Sequence, residues 1–195
     1  MKISHNQLLL SILLAGTLLA LAPRTLTPQE ATAPVVLSTR DGSHDFDFLI
    51  GDWKVHVRRL PDRLNGSNTW DEYDGISNHH KLLDSNANFE QFEVQGKDKS
   101  LHIKGETLRL YNPDTQQWNI YLVDLDKGTL DAPPVVGHFT GNRGEFFHQE
   151  LFKGRTILVR YVWLNISPKS SRMEQSWSPD GGKSWEVNWI CDLSR

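Results

Sequence analysis

Eight histidines, and a few arginines set in apolar runs, are the groups in this 195-residue chain best suited to chemistry. His79 and His80 are adjacent, and adjacent residues of a strand face opposite sides, so one metal cannot take both without a bulge. His56, His102, His138 and His148 fall on separate strand-like segments, and three of them converging would make a metal site. No His-x-His or His-x₃-His spacing supports that convergence. Hydrogen-bonded or solvated structural histidines are the better reading, and no metal is expected.

The arginines suggest binding. His56-Val57-Arg58-Arg59, followed by Arg63, is the densest positive cluster, and period-two alternation puts Arg59 on the face of Trp53, Val55 and Val57. Pointing inward, Arg59 would hold a carboxylate bidentately; the alternative is a solvated rim residue. Arg160 lies in Ile157–Leu164, a run apolar on both faces, and Arg109 in Thr107–Tyr111 has the same character. A buried guanidinium needs either a ligand or an internal carboxylate, and Glu106, Asp124, Glu174 and Glu186 are available in strand-like runs. With aromatic partners, the candidate ligand-binding set is Arg59, Arg109, Tyr121, Arg160, Trp163 and Glu174. An enzyme built on the same interior would draw an acid–base pair from His56, His102, Tyr121, Asp124, His138 and Glu145. Covalent nucleophile motifs, phosphate-binding glycine loops and His-Glu-x-x-His are absent from the sequence. The single cysteine, Cys191, shares a face with Trp185, Val187, Trp189 and Leu193 and reads as a small buried hydrophobe. Asn165-Ile166-Ser167 is a glycosylation sequon, relevant only in a host that modifies exported proteins.

The elements that must position these groups are strands. From Asp52 onward, short runs rich in Val, Ile, Thr, Tyr and Trp are separated by Gly, Pro, Asn and Asp clusters. Segments near 53–58, 69–76, 79–84, 88–95, 101–111, 117–124, 134–140, 144–152, 155–164, 171–177 and 185–193 give about ten antiparallel strands, with one helical turn at Phe46–Ile50. That number in one domain suits a closed barrel or two packed sheets. Two turns resemble each other: Tyr111-Asn112-Pro113-Asp114 leads to Trp118, and Trp177-Ser178-Pro179-Asp180 leads to Trp185. The second contains Ser-x-Asp-x-Gly-x-Ser-Trp, similar to the Asp-box hairpin of sialidase-type propellers, where it is a structural turn. Seven Trp, eight Phe and four Tyr would fill a core or line a cavity for an apolar ligand.

Phe46–Trp53 carries the most specific fold signal. Its Gly51-x-Trp53 resembles the opening strand of the calycins, the lipocalin and fatty-acid-binding-protein superfamily. The resemblance implies a Trp closing one barrel end beside a late arginine, a role open to Arg195 or Arg172. Together with the Trp177–Trp185 hairpin and the Trp185–Arg195 terminal strand, the sequence is similar to the DUF1579-like bacterial family of unknown function. That resemblance implies a barrel with a small-molecule cavity. Nitrobindin-type haem calycins bind iron through a histidine near the C-terminus. The last histidine here is His148, which leaves only His138 or His148 in another arrangement, so no cofactor is expected.

Composition limits the partners. The formal charge of −3 argues against broad binding to a phosphate backbone, and the 38% hydrophobic content is that of a globular protein. Residues 1–22 read as a signal peptide, with Lys2, an apolar run over Leu8–Ala22 and an Ala20-Leu21-Ala22 cleavage pattern. The run is shorter than the ~20 residues of a membrane span, which favours export with cleavage over an uncleaved anchor. Residues 23–40 read as a flexible linker and 41–195 as the barrel domain. The expectation is an all-β, single antiparallel calycin-like barrel, secreted or periplasmic and free of the membrane after cleavage, with a small-molecule ligand. The oligomeric state has no signature in the sequence.

Overall fold

The computed structural model describes residues 40–195 except 84–85, 99–100 and 126; the expected signal peptide, and the linker up to residue 39, lie outside the described residues. A 3₁₀ turn at Asp47–Leu49 precedes eleven strands: β1 (Gly51–Arg59), β2 (Asp71–Lys81), β3 (Ala87–Gly96), β4 (His102–Asn112), β5 (Gln117–Asp124), β6 (Thr129–Leu130), β7 (Val135–Thr140), β8 (Arg143–Phe152), β9 (Arg155–Ser167), β10 (Ser170–Ser178) and β11 (Glu186–Ser194). Ten of them form a closed antiparallel barrel, as the strand count predicts. Each ring strand pairs with the next in the chain, β5 pairs with β7, and β11 returns to β1 from Lys54↔Ser194 to Arg59↔Trp189. The two-residue β6 pairs with β5 outside this ring.

Where two strands are expected near 69–76 and 79–84, one continuous β2 forms. Within it, a Cβ at Gly75 would lie 2.0 Å from the Glu93 carbonyl oxygen, so only glycine allows β2 to approach β3 this closely. Gly137 plays the same part in β7 against Glu145.

Both legible hairpins form. Asn112 Oδ1 accepts the amides of Asp114 and Thr115. In the second, Asp180 Oδ1 accepts the amides of Lys183 (3.0 Å) and Ser184 (2.9 Å), and Gly182 donates to Ser178 Oγ. With the Ser184 hydroxyl also donating to it, the Asp180 carboxylate is held well below its ordinary pKa. This Asp-box sequence is a turn here, with its polar groups spent on its own backbone.

One end of the barrel is plugged by the segment before β1. The buried Phe46 ring meets Trp118, Phe139 and Trp163 edge-on at 5.0, 4.9 and 5.9 Å and stacks on Phe146 at 5.5 Å. Gly42 ties this segment to the wall: its amide donates to the Tyr111 hydroxyl and its carbonyl accepts the Trp118 indole N–H. Trp53 donates to the Leu49 carbonyl, and the Arg195 guanidinium lies 3.8 Å above the Trp53 ring. Arg195 also donates to the carbonyls of Phe48 and Ile50. Of the two arginines considered for this closure, Arg195 takes it, while Arg172 forms a bidentate pair with Asp192.

Candidate functional site

The inward faces of the ring enclose a cavity of about 460 Å³. Its walls alternate as period two requires: Phe92 from β3, Ile103 and Thr107 from β4, Ile120 and Leu122 from β5, Tyr161 and Trp163 from β9, Met173 from β10, Trp189 and Cys191 from β11. Gly105 stands on the same inward row of β4, and a Cβ there would meet nothing within 4 Å. The space therefore exists partly because this position carries no side chain. The mouth is at the end opposite the aromatic plug, where Arg63, Lys104, Glu106, Asp124, Leu125 and Asp131 also line the cavity.

The polar groups of the floor form a closed circuit. The Ser77 hydroxyl donates to Glu90 Oε1 at 2.7 Å, and therefore accepts from His79 Nε2 at 2.8 Å. This fixes the His79 tautomer, leaving Nδ1 to accept from Arg109 Nη1 at 3.4 Å. Arg109 also donates to Asn88 Oδ1 at 3.2 Å and pairs directly with Glu90. Burial lowers the His79 pKa to about 4, with the Arg109 charge reinforcing and Glu90 opposing the shift. Burial also works against charge on Glu90, but Arg109, His79 and the Ser77 hydrogen bond outweigh it and hold the carboxyl well below its usual range. The outcome is a neutral histidine beside an ionised pair, with Arg109 Nε left unpartnered.

The six sequence candidates divide. Arg109 and Trp163 line the cavity. Arg109 is committed to Glu90, the internal pairing that had been the alternative to a ligand for such a residue. Arg59 does not reach the cavity: it is half-buried at the last position of β1, on the rim where the barrel opens. Tyr121 alternates with the inward Ile120 and Leu122 and faces outward. Arg160 alternates with Val159 and Tyr161, and its guanidinium stacks 4.3 Å from Trp185 on the outside. Glu174 lies between the inward Met173 and Gln175 and faces Arg172 at 3.7 Å.

Trp185 itself corrects the expected face of β11. The register shifts between Gln175 and Ser176, whose partners Trp189 and Val187 leave Asn188 as the extra residue. Alternation breaks there, so Trp189, Cys191 and Leu193 face inward while Trp185 packs near Phe147. Cys191 is buried as expected, and burial pushes its thiol pKa upward.

Of the acid–base set, Asp124 lines the cavity. His56 and His102 pair on the outer face with Asp74 and Glu93, and His138 and Glu145 oppose each other on an outer groove. Among the described residues no cluster of three His, Cys, Asp or Glu side chains could hold a metal. The site residues missed in the sequence are Ser77, Asn88 and Glu90; Arg63, at the mouth, was noted in the basic cluster but not among the ligand-binding candidates. Their signal is parity, since Asn88 and Glu90 share the inward row of Phe92 and Val94.

No family model and no curated protein matches the chain. Among solved structures it is similar to the S-type phycobiliprotein lyase CPES from Guillardia theta, at 12% identity and a TM-score of 0.53, over 80% of this chain and 93% of that one. Two further matches are EF1p2_mFAP2b bound to DFHBI (12% identity, TM-score 0.42, 79% and 98% covered) and a de novo designed fluorescence-activating β-barrel (13%, 0.40, 80% and 98%). At these identities the likeness to the lyase is one of fold: a closed antiparallel β-barrel.

Proposed function

We propose that this chain is an exported barrel that binds a small, partly apolar molecule in its interior. The cavity carries the reading: at about 460 Å³ it exceeds the ~300 Å³ at which small-molecule pockets begin, and most of its wall is aliphatic or aromatic. Export rests on the sequence of residues 1–22. Membership of the calycins, and of a DUF1579-like group within them, rests on Gly51-x-Trp53 and gains support from Arg195 lying over the Trp53 ring. The acid–base alternative is less well supported, because its candidate residues other than Asp124 do not line the cavity.

Native mass spectrometry of the purified protein, after incubation with lipid and with phenolic extracts, tests the reading. A bound mass of a few hundred daltons, released on denaturation, is expected. Recovery of the unliganded mass alone from both extracts overturns it.

A further inference from the structure

The fully buried side-chain polar atoms of the cavity wall that lack a partner are all donors. Arg63 Nε, Arg109 Nε and Trp189 Nε1 are buried without a hydrogen-bond partner, and each belongs to a residue lining the cavity. Unpaired buried donors are costly, and a ligand that supplies acceptors relieves that cost. The cations on the wall are not equivalent. Lys104 lies 3.5 Å from Glu93, and Arg109 is paired with Glu90. Arg63 alone among them makes no hydrogen bond or ion pair with any described residue.

Arg63 is nevertheless held in place. It lies in the loop between β1 and β2, which is pinned at both sides: the Leu60 amide donates to the Asn188 carbonyl at 2.9 Å, and the Leu64 amide donates to Glu186 Oε1 at 2.7 Å. Leu64 adopts a left-handed backbone (φ 59°) and packs on Ile157, Val159 and Trp177. The guanidinium lies 4.4 Å over the Trp177 ring, which orients its plane without consuming its N–H groups. Glu150 and Glu186 act on it electrostatically from beyond ion-pair distance, and Arg59 adds positive potential.

We infer that Arg63 is the anion anchor of the cavity, and that the ligand is an aromatic or aliphatic acid with its apolar body inside and its carboxylate at the mouth. This rests on the ligand-binding reading above and names the ligand's chemical class. A planar, pre-oriented guanidinium suits a carboxylate, and the remaining donors of Trp189 and Arg109 suit further acceptors along the ligand.

The test uses N-phenyl-1-naphthylamine, an uncharged fluorescent probe, displaced by 2-naphthoate or by the near-isosteric 2-naphthamide. In the wild-type protein the carboxylate is expected to compete about tenfold better than the amide. Arg63→Gln should abolish that preference, read as the ratio of the two competition constants, whereas Arg160→Gln, which alters a Trp-stacked arginine outside the barrel, should retain it. Equal competition by the two naphthyl compounds in the wild type overturns the inference, and this arm decides the matter even if Arg63→Gln fails to fold. A preference that survives in folded Arg63→Gln also overturns it. Failure of the wild type to bind the probe or either naphthyl compound instead overturns the ligand-binding reading, and the inference with it.

Discussion

The two ends of the barrel are built from the same alternating strands and are opposites in composition. At the plugged end, polar atoms near the aromatic cluster are spent on one another: Trp53, Trp118 and Arg195 each donate to a backbone carbonyl. At the mouth, Gly105 leaves space, and Arg63 and Trp189 keep buried donors unspent. The Ser77–His79–Glu90–Arg109 circuit lies between them as a polar floor, with Arg109 Nε buried and left without a partner. Stability is concentrated at one end and capacity for a ligand at the other.

The largest expected effect is on the floor. Arg109→Met strands the ionised Glu90 and should lower stability by about 3–5 kcal/mol in urea denaturation, while the double variant Arg109→Met/Glu90→Leu recovers most of the loss. A double variant no better than the single would show that the pair is not the unit of stability. Next comes pH. His79 titrates near 4 in the fold and near 6.5 when unfolded, so between those values the unfolded chain binds more protons. Stability should therefore be full above about pH 6.5 and fall as the pH drops toward 4, by up to about 3 kcal/mol from this residue. Thermal midpoints at pH 7, 6 and 5 should show the slope, and His79→Gln should flatten it. An unchanged slope in that variant would assign it to other groups. The smallest stability effect belongs to the mouth. Gly105→Leu should change stability by less than about 1 kcal/mol while abolishing N-phenyl-1-naphthylamine binding, because the new side chain occupies the ligand's space. A large stability loss there would mean that the two ends are not as different as their composition suggests.

Much of the architecture was legible because local signals agree. Period-two alternation, the Asn112 and Asp180 turns and Gly51-x-Trp53 all point to one barrel, and the structure contains each of them. The site was less legible. Arg160 lies in a strand with apolar residues on both faces, so composition could not say which face was inside. Trp185 was placed by extending alternation through Asn188, where the bulge adds a residue and reverses the faces. Gly105, and the place of Arg63 at the mouth, escaped for a different reason. A cavity is set by which side chains from distant strands fail to meet, and no local pattern in one strand records that.

The pairing of β1 with β11 also has a consequence for how the molecule is made. Most neighbours in the ring are successive hairpins, which can zip locally as the chain folds. The contact from Lys54↔Ser194 to Arg59↔Trp189 joins the first strand to the last, so it carries the greatest loop-closure entropy in the barrel. Arg195 clasps Trp53 at this junction, with two backbone carbonyls of the preceding segment in the same grip. The residues that close one end in space therefore also close the topology in time, and truncating the last strand would leave a curled ribbon with two open edges in place of a vessel.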